Sequence, residues 1–401
     1  MSITKSRTCV ALLSCFSAGL VAACVAADGR HAALRPIDPD AMRDTVERLA
    51  KEMLVPGAVV IVRTPNGEFR AASGVTSYRG KQPTSFEQHV RVGSNTKTWT
   101  TTVILQLIQE GKLALADPVS KFRPDVPNSA RITIEQLLTM HSGLYNYSES
   151  LELNNAMDRQ PAKVWTPEQL LALSFKHAPS FAPGAKFGYS NTNTVLLGLI
   201  AEKLEGKPLA DIMRDRLFIP VGLKLTLFPA ITATALPEPY THGYMYGNNV
   251  MTMDHPALPD SMQAAARAGT LAPDDWTDAN TSWTWAAGMG ISTANELVAW
   301  VQALVSGKLL QVDMQRRRLA SVQPIDPKDP NSASYGWGIA KFGNLYGHTG
   351  EMPGYNSFMG HDPVNNVTLV VWTNLAPAVD GRDPATTIAR SLIGMLYPPT
   401  R

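Results

Sequence analysis

The 401-residue sequence predicts a mixed α/β fold of the α+β kind. One antiparallel sheet is built from both chain ends and flanked by helices, with a mostly helical domain inserted between. Three observations predict it. Short β-type runs occupy 58–75 and return at 335–373. Helix-period runs fill the middle. No internal repeat or low-complexity tract divides the chain into modules. The α/β part is drawn at about 35–93 and 285–401, and the helical part at about 94–284.

In chain order, Asp38-Pro39 reads as a cap followed by proline at the first helical position. Ala41, Val46, Leu49 and Met53 supply the apolar face, and Pro56-Gly57 stops the helix. Residues 58–64 and 68–75 read as strands around a Pro65-Asn66-Gly67 turn. A central helix is expected over 94–110, with Val103, Leu107 and Ile108 at helical spacing and Gly111 behind them. Shorter helices follow over 134–139, from Thr166-Pro167-Glu168 to Leu173, over 193–204 with Gly206 as stop, and over 208–217. Residues 237–282, rich in Pro, Gly, Asn and Asp, read as a long surface excursion, a kind of loop that is often functional. Thr293-Ala294-Asn295-Glu296 reads as a capping box that opens a helix to Leu304. Strands are expected over 335–342, 345–349, 357–361 and 367–373, and a last helix over 384–396.

Composition is that of an ordinary globular protein, 44% hydrophobic and 17% charged. Residues 1–27 read as an export signal, with Lys5 and Arg7 before an apolar run from Val10 to Val25. Cleavage after Ala27 is one reading. The other is a lipobox at Val21-Ala22-Ala23-Cys24, with Cys24 lipidated. The protein is thus expected to be exported, periplasmic or extracellular, with membrane contact only through a lipid at Cys24. All three cysteines (Cys9, Cys15 and Cys24) lie in this leader, so no disulfide and no Cys-ligated metal is expected in the remainder. Loss of the leader removes Lys5 and Arg7 and no acid, leaving 34 basic residues against 34 acidic. That balance gives no footprint for nucleic acid.

The chemistry-bearing stretch is Val92-Gly93-Ser94-Asn95-Thr96-Lys97. Ser94 and Lys97, three apart, share one helix face. A serine at a helix start meets unpaired N–H groups and the positive end of the helix dipole. A lysine one turn deeper in an apolar helix is desolvated and becomes a proton acceptor. The pattern alone is common: Ser2-Ile3-Thr4-Lys5 repeats it in the leader. Tyr189-Ser190-Asn191 supplies a proton relay and an amide donor. Tyr246-Gly247-Asn248 has the same form but lies in the irregular excursion. His348-Thr349-Gly350 ends a predicted strand, where Gly350 allows close backbone approach and the Glu351 N–H can join that of Ser94 around an oxyanion. No His-x-x-x-His pair and no Gly-x-Ser-x-Gly elbow is present. Neither a cofactor nor a metal is therefore expected. Glu152-Leu153-Asn154-Asn155 matches a Glu-x-x-Asn pattern and is read as chance.

Taken together, these stretches resemble the serine β-lactamase and penicillin-binding superfamily on its class C side, and most of all its secreted D-alanyl-D-alanine carboxypeptidases. The resemblance runs in order from about residue 38 to the C-terminus. It rests on Arg91-Val92-Gly93-Ser94-x-x-Lys97, Leu137-Leu138-Thr139-Met140-His141-Ser142-Gly143-Leu144, Pro183-Gly184-x-x-Phe187-x-Tyr189-Ser190-Asn191, Ala287-Gly288 and Gly347-His348-Thr349-Gly350. It implies the β-lactamase/transpeptidase-like fold and a Ser94 nucleophile with Lys97 and Tyr189 as acid/base groups. Asn191, His348, Thr349, Gly350 and the Glu351 backbone N–H would hold the substrate through an acyl-Ser94 ester. The implied substrates are D-Ala-D-Ala peptides, with β-lactams or esters as alternatives, and a non-catalytic penicillin-binding sensor is a third reading. His141 is read as structural, and Trp283 and Trp285 as rim or core. Two departures stand out. His348 replaces the lysine typical of class C β-lactamases. Glu351 places a carboxyl where a substrate carboxylate would lie, so a carboxypeptidase needs a cation, for which Lys341 and protonated His348 are the candidates.

Overall fold

The computed structural model describes residues 34–329 and 332–398. The expected export signal and lipobox lie outside the described residues. The N-terminal helix α1 (Pro39–Glu52) is capped by the Asp38 carboxylate, which accepts from the Ala41 N–H at 3.1 Å. Two strands follow, β1 (Gly57–Thr64) and β2 (Gly67–Gly74). The helical part contains α2 (Lys97–Gln109), α3 (Ile134–Leu138), α4 (Leu151–Arg159), α5 (Pro167–Phe175) and α6 (Asn191–Glu205). Then come α7 (Ala294–Ser306), α8 (Val312–Ala320), β3 (Gln323–Pro324), β4 (Ser334–Tyr335) and β5 (Ala340–Phe342). The chain ends in β6 (Leu345–Met352), β7 (Tyr355–Asp362), β8 (Val367–Thr373) and α9 (Pro384–Leu396).

The strands form one antiparallel sheet in the order β2-β1-β8-β7-β6-β5-β4-β3. β1 explains why both faces are covered. Its Val59 and Ile61 join the core shared with α2, α6 and α7, while Ala58, Val60 and Val62 join the core under α1 and α9. A strand buried on both faces reads as a continuous apolar run, and Gly57-Ala58-Val59-Val60-Ile61-Val62 is one.

α2 is buried along almost its whole length, from Lys97 to Leu105 and again at Leu107. A helix buried on every side cannot expose its polar groups, so its threonines turn inward. Thr101 Oγ1 donates to the Lys97 carbonyl at 2.8 Å, and Thr100 Oγ1 to the Ala286 carbonyl at 2.7 Å.

Several expectations are corrected. The 94–110 helix begins as a 3-10 turn, Gly93–Thr96, because Gly93 adopts φ +54° and swings the chain into the turn before α2 starts at Lys97. The 335–342 strand is broken, since Gly338 at φ +62° bends the chain between β4 and β5. The strand that carries His348-Thr349-Gly350 does not end there but runs on to Met352, paired with Tyr355 across a two-residue hairpin. The capping box at Thr293 is half made: its hydroxyl accepts from the Glu296 N–H, but the Glu296 carboxylate takes the N–H groups of Lys224 and Leu225 instead. α4, α8 and a further helix, Asp260–Arg267 within the 237–282 excursion, are not predicted by the sequence pattern.

The 237–282 excursion is not merely surface. Arg91, 2% exposed, reaches into it and donates to the Thr277 carbonyl at 2.9 Å and the Ala279 carbonyl at 3.2 Å, and its second nitrogen to Thr281 Oγ1 at 3.1 Å. Tyr244, Tyr246 and Leu258 from the same stretch enter the core under α1 and α9. A buried guanidinium thus satisfies two of its carbonyls. Among the described residues no helix is long and apolar enough to cross a membrane, and no group of three or more His, Cys, Asp or Glu is set to hold a metal ion.

Candidate active site

A cleft of about 490 Å³ lies between the 3-10 turn before α2, the loops around α4 and α6, and the sheet edge. Ser94, Tyr189, Asn191, His348, Thr349 and Glu351 all line it. The structure therefore brings together residues up to 257 positions apart, and Lys97 stands directly behind Ser94.

The helix-tip wall comes first. Lys97 is fully buried. Its Nζ lies 2.8 Å from Ser94 Oγ and donates to the Ala287 carbonyl at 2.8 Å. Burial with no carboxylate partner disfavours the ammonium form, so its pKa falls well below the ordinary lysine value. The Tyr189 ring sits over this amine, 4.9 Å from Nζ to the ring centroid. Its phenol is pushed up by desolvation, with a hydrogen bond to Ser94 opposing and Glu351 adding to the rise. The two groups beside Ser94 thus shift in opposite senses: the amine towards a base, the phenol towards a retained acid.

The sheet-edge wall follows from register. β5 pairs with β6 only as far as Gly347, so the edge from His348 to Met352 is free of a neighbour on that side. Leu345 and Phe342 close a two-residue hairpin, which makes them a hydrogen-bonded pair. N–H groups that point the same way recur every second residue, at Gly347, Thr349 and Glu351. The Glu351 N–H therefore points off the free edge into the cleft. Gly93 keeps that approach open: a Cβ there would lie 2.8 Å from the Glu351 nitrogen. Gly350 is equally constrained, since its Cβ would meet the Val92 carbonyl oxygen at 1.9 Å.

Neither cation expected for a carboxylate is available. His348 is 3% exposed. Its Nδ1 lies 2.6 Å from the Thr349 carbonyl oxygen, which only an N–H can approach so closely, leaving Nε2 to accept from the Tyr335 hydroxyl at 3.2 Å. Burial, and then Lys97, lower its pKa to about 3, so it is a neutral imidazole with both nitrogens engaged. Lys341 lies between Ala340 and Phe342, which line the cleft. Among the described residues Lys341 does not line the cleft; it lies across from Tyr346, its Nζ 5.0 Å from that ring centroid. Glu351 lines the cleft, and its side chain shares a hydrogen bond with Asp383. The surrounding protein, and then Asp383, push its pKa up to about 8.

Asn191 is the first residue of α6, two positions before the expected start. Its N–H donates to Asn146 Oδ1 at 3.0 Å and its Nδ2 to Ser148 Oγ at 3.0 Å, while Oδ1 has no partner. Trp283 lines the cleft and Trp285 is core. His141 stays outside the cleft, its Nδ1 2.7 Å from the Thr139 carbonyl oxygen. Glu152 pairs with Lys176 on the surface, whereas its neighbours Asn154 and Met157 on α4 line the cleft. Sequence reasoning misses Tyr335, Asn146, Ser148, Asn154 and Met157. Only Asn146 and Ser148 carry a signal: polar residues in a loop just after Gly143, where function concentrates.

Comparison with known proteins shows what this chain is similar to. The chain is 29% identical to a D-stereospecific amidohydrolase from Streptomyces sp., with a TM-score of 0.75 over 91% of this chain and all of that one. It is 27% identical to a D-aminopeptidase of Brucella anthropi over 84% of this chain, and spans 59% of that protein's length. It is 29% identical to the D-alanyl-D-alanine-carboxypeptidase/endopeptidase AmpH of Escherichia coli K12, over 53% of this chain and 56% of that one. The beta-lactamase family profile matches residues 42–392, and the chain belongs to that family of serine hydrolases, which shares its fold with the penicillin-binding proteins.

Proposed function

We propose that the protein opens amides or esters through an acyl-Ser94 intermediate, and that its donors are amino acyl amides or esters of D configuration rather than peptides held by a terminal carboxylate. One observation carries the reading. Among the described residues that line the cleft there is no Lys or Arg, and the one lysine at Ser94 is buried and depressed in pKa. Lys97 therefore serves as base, and nothing with a positive charge waits for a carboxylate. This moves the reading from the carboxypeptidase towards the amidohydrolase and aminopeptidase relatives, whose activities support the D configuration. Met157, Met245, Met352, Phe187 and Trp283 suit an apolar acyl side chain.

In this mechanism Ser94 Oγ attacks the carbonyl carbon while Lys97 Nζ takes the hydroxyl proton. The oxygen, now negative, is held by the N–H groups of Ser94 and Glu351. As the C–N or C–O bond breaks, Tyr189 gives a proton to the leaving group and recovers one from Lys97. Water then opens the Ser94 ester along the same path in reverse.

The test is turnover of D-phenylalanine p-nitroanilide, its L isomer and a diacyl-Lys-D-Ala-D-Ala peptide, with acylation followed by intact mass. D-selective release of nitroaniline that is abolished by Ser94→Ala is expected. Undiminished turnover in Ser94→Ala would sink the mechanism, and faster turnover of the peptide would return the carboxypeptidase reading.

A further inference from the structure

We propose that the Glu351 side chain is the ammonium-binding group of the cleft, the residue that selects α-amino acyl donors over donors without an amine. The inference rests on the acyl-Ser94 reading and adds a substrate determinant to it.

Position is the first argument. The register places the Glu351 N–H at the free edge, where the carbonyl oxygen of a donor would sit. An α-amino nitrogen is two bonds from that carbonyl carbon, and the Glu351 carboxyl is a short side chain away from its own N–H. The same residue can therefore hold the oxygen through its backbone and the amine through its side chain.

Charge is the second. Among the described residues that line the cleft, Glu351 is the only Asp, Glu, Lys or Arg. Asn146, Ser148, Asn154, Asn191 and Tyr189 are polar without charge, and His348 is neutral. A cleft with one carboxyl and no cation attracts an ammonium and repels a carboxylate.

The support behind Glu351 is the third. Asn356 lies directly across from it on β7, and the Asn356 Oδ1 accepts from the Ala385 N–H at 2.9 Å, which fixes the start of α9 beside β6. This brings Asp383 into hydrogen bond with Glu351. Two carboxyls in hydrogen bond still leave free lone pairs, which an ammonium with three N–H donors can fill. Arg382, next in the chain, does not neutralise the pair, because its guanidinium is taken by Asp380 at 2.7 Å.

The experiment uses matched ligands. Full-length Ser94→Ala protein is titrated calorimetrically with D-phenylalanine amide, protonated at its amine, and with 3-phenylpropanamide, which lacks only that amine. The amine is expected to improve binding about tenfold or more, the worth of a charge-assisted hydrogen bond, and Ser94→Ala/Glu351→Gln to erase the difference. In parallel, the ratio of kcat/KM for D-phenylalanine p-nitroanilide to that for its des-amino analogue is measured in otherwise native protein with and without Glu351→Gln. A fall of tenfold or more in that ratio is expected. Equal binding of the two amides, or an equal loss on both substrates in Glu351→Gln, overturns the inference. A preserved amine preference without Ser94-dependent turnover would instead overturn the acyl-Ser94 reading and leave Glu351 as the amine site.

Discussion

The two walls of the cleft are built on opposite principles. The helix-tip wall is local: Ser94 and Lys97 are three residues apart, and the segment is fixed by the left-handed Gly93 and the buried α2. It silences charge, because burial takes the Lys97 amine towards its neutral form. The sheet-edge wall is assembled from β4, β5 and β6 and carries Tyr335, His348, Thr349 and Glu351. It keeps one ionisable carboxyl, at Glu351, while burial and then Lys97 keep His348 neutral. Reactivity thus sits on the wall where solvation is removed, and selectivity on the wall where an ionisable group stays within reach of the ligand.

Breaking the helix-tip wall should have the larger effect. Lys97→Ala removes the amine bonded to Ser94 and is expected to slow acylation by about 10²–10⁴, the usual worth of a general base. Stopped-flow acylation by a p-nitrophenyl ester checks this, and near-native rates would mean that another group takes the proton.

Breaking the sheet edge should cost less and show differently. Gly350→Ala drives a methyl to 1.9 Å from the Val92 carbonyl, so β6 must retreat from the turn that carries Ser94. A displacement of about 1 Å costs roughly 10²-fold in rate, without touching either acid/base group. The loss is expected in kcat for both amide and ester substrates, together with a lower Tm. Native kinetics would show that the edge does not hold the reacting carbonyl.

The same contrast explains what is legible in the sequence. Ser94, Lys97 and the glycine before them form a contiguous motif whose geometry follows from helix spacing, so sequence suffices to place them together. β1 and β8 are legible because strands buried on both faces are continuous apolar runs. The role of Lys341 is not, since a break at Gly338 and the strand register place it across from Tyr346. Tyr335 is hidden for a similar reason: a tyrosine in a predicted strand gives no sign that its hydroxyl meets a histidine thirteen residues later. Arg91 is part of the recognised motif, yet its task of satisfying carbonyls from 277–279 depends on a long-range fold that no local pattern encodes.

The pH profile sharpens the comparison. On an ester without an amine, kcat/KM should rise with pH through the lowered Lys97 pKa, because the base works only when neutral. His348, near 3, adds no limb in the neutral range, and the raised Tyr189 gives no alkaline fall near 10. An acid limb close to 10 would show that Lys97 remains an ammonium at neutral pH.

The smallest effect is on stability, and it depends on pH. The folded-state pKa of Lys97 lies below its unfolded value of about 10.4, so between the two the unfolded chain binds more protons. Folding at neutral pH therefore carries the cost of stripping that proton, and the cost disappears as pH rises through the unfolded pKa. Lys97→Met keeps the volume, abolishes the cost, and loses the hydrogen bonds to Ser94 and Ala287, worth about 1 kcal/mol each. Every tenfold loss of proton affinity on folding outweighs one such bond, at about 1.4 kcal/mol. The Tm of the variant relative to the native protein is expected to be more favourable at neutral pH than above about pH 10.4, where only the lost bonds remain. A Tm difference that does not change between neutral and strongly alkaline pH would mean that the amine is stored charged, and the helix-tip wall would then owe its reactivity to something other than desolvation.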